Sequence, residues 1–174
     1  MTVLLLAEDD PDLRDGLQRL MERAGYVVHA ADNGGTALRL AVAEPPDVVL
    51  TDLDMPELDG LALCQAIRGR TEIGDIPVAV LSGRLRSADT DLRAAGVCAV
   101  LLKPMPNAEL IEVVRALAEY GPHPHDTTPC RVLPADGAGR CAGTVSASCG
   151  GRPRRDRRTG GVVVDPLADS RNEL

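Results

Sequence analysis

Phenylalanine and tryptophan are absent from this 174-residue chain, tyrosine occurs only twice, and there is one lysine against 18 arginines. With so few aromatics and an apolar fraction of 44%, any core has to be packed from Leu, Val, Ala and Ile. No apolar run approaches the ~18 residues that a membrane-spanning helix needs. The first residues run straight into a strand-like stretch, without a basic leader and apolar core, so no secretory signal is read and a cytoplasmic location is expected. Five cysteines, an odd number at irregular spacing, do not suggest a disulfide framework. Cys64 and Cys98 read as small core hydrophobes. Basic charge is also scarce in the first part. Residues 1–120 carry 11 basic and 20 acidic groups (net −9), and residues 121–174 carry 8 and 6 (net +2), giving −7 overall. Such an acidic segment argues against nucleic acid as its direct partner.

What is present is a repeated pattern. The lone Lys103 stands at the end of the apolar run 98–102, just before Pro104. Because arginine serves for ordinary surface charge here, this position calls for an ammonium, a compact charge that can swing onto a phosphate or a carboxylate. Upstream, Val3 to Ala7 stops at Glu8-Asp9-Asp10, the run 48–51 stops at Asp52, and the run 76–81 stops at Ser82. Four buried-looking strands therefore end in carboxylates, a carboxylate, a hydroxyl and an ammonium.

Between these runs the apolar period becomes helical. Asp10 and Pro11 read as an N-cap and a first helical residue. Leu13, Leu17, Leu20, Met21 and Ala24 follow as a stripe, and Gly25 ends it. A strand over 26–31, Asn33 as a cap and a helix to about 43 come next, then a strand over 47–51 and a helix near 58–68. A strand over 76–81, a short helix near 87–95, a strand over 98–102 and a helix from Asn107 to about Glu119 complete the series. Leu110, Ile111, Val113, Val114 and Leu117 supply the buried face of that last helix. Five βα units predict an α/β fold, a parallel sheet covered by helices on both sides. Right-handed crossovers bring the C-terminal end of every strand to one edge, where ligands bind. Residues 121–174 differ: Gly and Pro fill 14 of 54 positions and Leu, Ile, Val and Phe only 8, the composition of a poorly ordered extension or, alternatively, of a small β module.

Electrostatics gives the edge its chemistry. Glu8, Asp9 and Asp52 brought within a few ångströms repel by about 4 kcal/mol per close pair at an effective dielectric near 20. One divalent cation and Lys103 would balance the three carboxylates. Oxygen ligands with few carboxylates suit Mg²⁺, which accepts a phosphate oxygen into its octahedron. Ser82 adds a donor for another phosphate oxygen. The set reads as a phosphoryl-transfer site with a carboxylate nucleophile. An isolated acidic triplet would otherwise be a solvated loop, but here Asp10 can be the cap and leave Glu8 and Asp9 available. Asp32 and Asp75 read as surface residues, and Asp59-Gly60 as a turn.

Ala7-Glu8-Asp9-Asp10, the stretch from Thr51 to Gly60 through Asp52, Asp54, Met55-Pro56 and Asp59, Leu81-Ser82-Gly83 and Leu102-Lys103-Pro104 occur in an order and spacing that resemble the receiver domain of two-component response regulators. The resemblance covers residues 1–120. It implies a flavodoxin-like, three-layer sandwich with strand order 2-1-3-4-5, an order the chemotaxis receivers exemplify. It also implies that Asp52 accepts a phosphoryl group from a phosphohistidine on a sensor histidine kinase or phosphotransfer protein. Glu8, Asp9, Asp52 and the backbone carbonyl of Asp54 would hold Mg²⁺, and Ser82 and Lys103 would bind the phosphoryl oxygens. The Lys103–Pro104 peptide is expected to be cis. Such a protein is a signalling phosphoacceptor, not a turnover enzyme, acting on a downstream protein effector and in some cases as a homodimer.

The sequence departs from the family in places. Val100 and Met105 stand where receivers often carry aromatics, and Gly83 where alanine is commoner, so an aromatic-rotation switch is not implied. Asp54 and Arg84 occupy positions that tune dephosphorylation. A haloacid-dehalogenase-type phosphatase is an alternative reading of Asp52-Leu53-Asp54, but in that family the acidic pair follows the lysine. In the tail, the stretch 143–151 is faintly similar to a PilZ module, without its arginine motif, and the arginine run 152–158 reads as a solvated charge cluster. No helix-turn-helix pattern follows residue 120, so direct DNA binding is not expected. His123, His125, Cys130, Cys141 and Cys149 can ligate metals, yet their spacing fits no familiar zinc pattern.

Overall fold

The computed structural model describes residues 1–83, 89–123 and 125. Arg84 and almost all of the tail, including Cys130, Cys141, Cys149, the PilZ-like stretch and the arginine run, lie outside the described residues. Ten elements alternate: β1 (Val3–Ala7), α1 (Pro11–Arg23), β2 (Val27–Ala31), α2 (Gly34–Ala43), β3 (Val48–Asp52), α3 (Gly60–Arg68), β4 (Val78–Ser82), α4 (Asp89–Ala94), β5 (Ala99–Leu102) and α5 (Asn107–Tyr120). All strand pairs are parallel, in the order β2-β1-β3-β4-β5. This is the expected α/β architecture.

The strands sort their side chains by alternation, since successive residues point to opposite faces of a sheet. Leu5, Ala7, Val49, Val78 and Val80 pack with Ala37 and Ala41 of α2, Leu63 and Ile67 of α3 and Leu92 of α4. Leu4, Leu6, Val48, Leu50, Ala79 and Leu81 pack with Leu17 and Met21 of α1 and Leu110, Val114 and Leu117 of α5. Central β1, β3 and β4 are therefore almost wholly buried, which is why they read as continuous apolar runs. The cores are aliphatic on both faces, as the lack of aromatics requires.

Several boundaries differ from the sequence reading. β2 begins at Val27, β4 at Val78 and β5 at Ala99, each one or two residues later than expected, while β3 and β4 extend through Asp52 and Ser82. α3 starts at Gly60 because Asp59 accepts a hydrogen bond from Ala62 N and caps it, so Asp59 and Gly60 are a helix start and not merely a turn. α4 spans Asp89–Ala94, and residues 87 and 88 of the expected helix lie outside the described residues. In α1, Leu13 is 38% exposed and Ala24 is the exposed C-cap, leaving Leu17 and Met21 as its buried contacts. Ile111 and Val113 of α5 are only partly buried. Gly25 and Gly96 both take positive φ, +94° and +78°, a conformation that costs glycine little.

Candidate functional site

Each chemically active side chain is carried by a segment that the sheet holds past its strand. Glu8 N donates to Ala31 O, Leu53 N to Leu81 O and Lys103 N to Ser82 O, so ladder bonding continues to the very edge. The register pairs Asp52 with Leu81 and Ser82 with Leu102. Asp10 accepts from Asp12 N and Leu13 N as the cap of α1, which turns the chain directly after the acidic pair. Behind Asp52, a Cβ at Gly60 would fall 2.2 Å from the Asp52 carbonyl oxygen, so only glycine fits.

The lysine is the centre of the cluster. Its Nζ lies 2.8 Å from Glu8 Oε2 and 2.9 Å from Asp52 Oδ1. Glu8 is 1% exposed and Asp52 7%, while Asp9 is exposed at the rim. One carboxylate oxygen from each of Glu8, Asp9 and Asp52 lies within 4.8 Å of the others. At that separation each pair repels by about 3.5 kcal/mol or more at an effective dielectric near 20. Burial pushes the Glu8 carboxyl above its usual range, an effect the Lys103 hydrogen bond only partly offsets. For Lys103, burial alone would lower the ammonium's pKa, but its bonds and attraction to Glu8 and Asp52 outweigh it and the net shift is upward. With three carboxylates and one ammonium the site carries two uncompensated negative charges. Its donors are all oxygen, a set that fits a hard divalent cation such as Mg²⁺.

Glu8, Asp9, Asp52 and Lys103 are thus brought together as the sequence suggested. Ser82 is buried at the tip of β4, next to the Lys103 segment through its carbonyl. Asp54 is exposed on the loop after β3. The Lys103–Pro104 peptide is cis, as the resemblance implied. One contributor escaped the sequence reading: Arg14 Nη1 donates to the carbonyl oxygens of Glu8 and Asp9, at 2.8 and 3.2 Å, and fixes the acidic loop from α1. An arginine one turn into a capped helix has no signature that separates it from surface charge.

The sequence profile of the response regulator receiver domain matches residues 4–115. The chain belongs to the response regulator receiver family. Its receiver is 38% identical over 118 residues to the transcriptional regulatory protein PrrA of Mycobacterium tuberculosis, covering 66% of this chain and 48% of that protein. It is 34% identical over 151 residues to the transcriptional regulatory protein CseB of Streptomyces coelicolor, covering 86% and 58%. The chain therefore spans about half the length of these curated relatives. Among solved structures, the receiver domain of a Pseudomonas aeruginosa sensor histidine kinase, with a magnesium ion coordinated in its active-site cleft, superposes with TM-score 0.64 at 27% identity. That match covers 68% of this chain and 98% of the other. The signal receiver domain of a histidine kinase from Syntrophus aciditrophicus gives TM-score 0.65 at 29% identity, covering 69% and 92%. Among the described residues no helix is long and apolar enough to cross a membrane.

Proposed function

We propose that residues 1–120 are a phosphoacceptor receiver in which Asp52 takes a phosphoryl group from a phosphohistidine of a sensor kinase or phosphotransfer protein. The observation that carries this reading is the 2.9 Å contact between Asp52 Oδ1 and the ammonium of the chain's one lysine, inside a cluster of three carboxylates. In the transfer, an Asp52 carboxylate oxygen forms a bond to phosphorus as the P–N bond breaks. The electron pair returns to the imidazole nitrogen, which then takes up a proton. Glu8, Asp9, Asp52 and the Asp54 carbonyl would hold Mg²⁺, which when bound would neutralise charge on the phosphoryl oxygens. Lys103 leaves its carboxylate partners in part to meet a phosphoryl oxygen, and the Ser82 hydroxyl donates to another. Glu8, tied to Lys103 and to the backbone of β2, holds the ammonium in line with Asp52.

The domain acts as a signalling switch, not as an enzyme on external substrates, though its own residues govern gain and loss of the phosphoryl group. We place its output contacts with proteins, either a downstream effector or a second copy, because residues 1–120 carry net charge −9 and would be repelled by a phosphate backbone. PrrA and CseB are named as transcriptional regulatory proteins and are roughly twice as long as the matched stretch, so what the rest of their length does is not carried over to this segment. Incubation with acetyl phosphate and Mg²⁺, followed by intact mass, tests the assignment. Wild type gains one phosphoryl adduct and Asp52→Asn gains none; a persistent adduct in the variant moves the acceptor elsewhere.

A further inference from the structure

At the opposite end of the sheet from the carboxylates, three soft ligands converge. Cys98, just before β5, is buried, and its Sγ lies 3.5 Å from His123 Nε2 and 3.2 Å from His125 Nε2. All three ligand atoms lie within 4.8 Å of one another. The histidines arrive from the segment after α5, whose path is fixed where His123 N donates to Asp75 O. Cys98 therefore has more than the packing role its sequence context suggested. The two histidines find their sulfur partner 25 and 27 residues upstream, a separation that no short spacing motif displays.

The geometry points to a transition-metal site, built for Zn²⁺, formed by Cys98 Sγ, His123 Nε2 and His125 Nε2. Three features support it independently. A zinc ion with Zn–S near 2.3 Å and Zn–N near 2.0–2.1 Å at a tetrahedral angle holds sulfur and nitrogen about 3.6 Å apart. The observed 3.5 and 3.2 Å need only small adjustment. Next, His123 Nδ1 lies 2.8 Å from Gly121 O. A carbonyl only accepts, so Nδ1 carries the proton and the neutral ring presents a lone pair at Nε2, the arrangement by which outer partners orient metal-bound histidines. Finally, the sulfur receives hydrogen bonds from Val78 N at 3.4 Å and Arg68 Nη2 at 3.8 Å, donors that would still meet a thiolate, whereas the thiol's own donated contact, to Gly96 O, is longer at 3.9 Å.

Binding releases the thiol proton to solvent. His125 lines a surface groove together with Arg68, Asp75 and Gly96, a route by which an ion can reach its ring. The ion fastens the segment following α5 to the start of β5. It is chemically separate from the all-oxygen cluster, which takes Mg²⁺.

Cobalt(II) titration of the reduced full chain in excess Mg²⁺ tests the site, with Cys130→Ser, Cys141→Ser and Cys149→Ser combined so that the only thiols left are Cys98 and Cys64, the latter buried in the core beneath α3. The expected result is one equivalent bound with a thiolate-to-cobalt charge-transfer band and tetrahedral d–d absorption, displaced by Zn²⁺. In that background Cys98→Ser abolishes the band, and His123→Gln and His125→Gln each weaken binding by ~10-fold or more. Since Cys98 is buried, the two histidine variants carry the test if Cys98→Ser does not fold. Absence of the thiolate band in the triple variant overturns the proposal, as does affinity unchanged by both histidine substitutions. Either result leaves a hydrogen-bonded thiol–imidazole cluster. Phosphorylation of Asp52 is read separately by mass, so failure of one assignment does not imply failure of the other.

Discussion

Removing the ammonium from the acidic cluster is the sharpest perturbation this domain offers. Lys103→Met deletes contacts of 2.8 and 2.9 Å to Glu8 and Asp52. Each is worth about 6 kcal/mol of gross attraction at an effective dielectric near 20, most of it offset by the cost of burying the ions. Breaking a buried pair by removing one partner typically costs about 3–5 kcal/mol, and that is the loss expected here near neutral pH without Mg²⁺. The loss should depend on pH in a defined direction. Burial already raises the Glu8 carboxyl above its ordinary value of 4.5, and without Lys103 it rises further. A raised carboxyl binds its proton more tightly in the folded state, so folding stability falls as pH rises through the folded value and recovers on acidification. The deficit of Lys103→Met is then largest at about pH 8 and smaller at about pH 5. In wild type, the ammonium's own contribution is fully present below its unfolded value of 10.5 and is lost only as pH climbs through the raised folded value. Excess Mg²⁺ should restore part of the loss, because a cation held by the folded cluster, as proposed above, stabilises that state over the unfolded chain. Urea unfolding followed by far-UV circular dichroism is the assay, since the chain has no tryptophan to report. A deficit that is the same at both pH values and unmoved by Mg²⁺ would refute the electrostatic account.

Two further outcomes rest on packing. Gly60→Ala would place a methyl 2.2 Å from the Asp52 carbonyl oxygen. A loss of about 1–3 kcal/mol is expected from overpacking, together with slower adduct formation as Asp52 is displaced. A thermal melt and an acetyl phosphate time course would check it, and wild-type behaviour in both contradicts the steric reading. Burial pushes the Cys64 thiol up to about 11, so iodoacetamide at mildly alkaline pH should label it far more slowly in the native protein than in urea. Peptide mass mapping reads this directly; equal rates would mean that the α3 core opens readily.

How much of this was legible beforehand divides by range. The five βα units and their order could be read because β1, β3 and β4 are buried on both faces and appear as unbroken apolar runs. The site was legible for a related reason: each of its residues follows, or closes, one of those runs or the apolar run of β5, and topology then does the gathering. Boundaries were less accurate where a cap outranked the apolar pattern, as with Asp59 at the start of α3. Leu13 followed the helical period yet stays exposed, because periodicity gives a face and not the width of the neighbour that covers it. Arg14 was missed since its role is to reach backbone carbonyls, for which no residue pattern is required. Cys98 was read as a core hydrophobe because its imidazole neighbours come from beyond α5, a long-range contact without a local trace.

Arg68 has a consequence of its own. From the C-terminal end of α3 its guanidinium donates to the carbonyl oxygens of Gly74, Ile76 and Gly96. It stitches the entries of β4 and β5 to one helix, satisfying acceptors that would otherwise be left wanting near the protein interior. Displacement of either strand at this pole must break charge-assisted bonds, whereas the far pole is held by an ion cluster whose charge a phosphoryl group would change. The sheet is thereby anchored at one pole and electrically adjustable at the other, so a signal arriving at the carboxylates has a fixed base to push against.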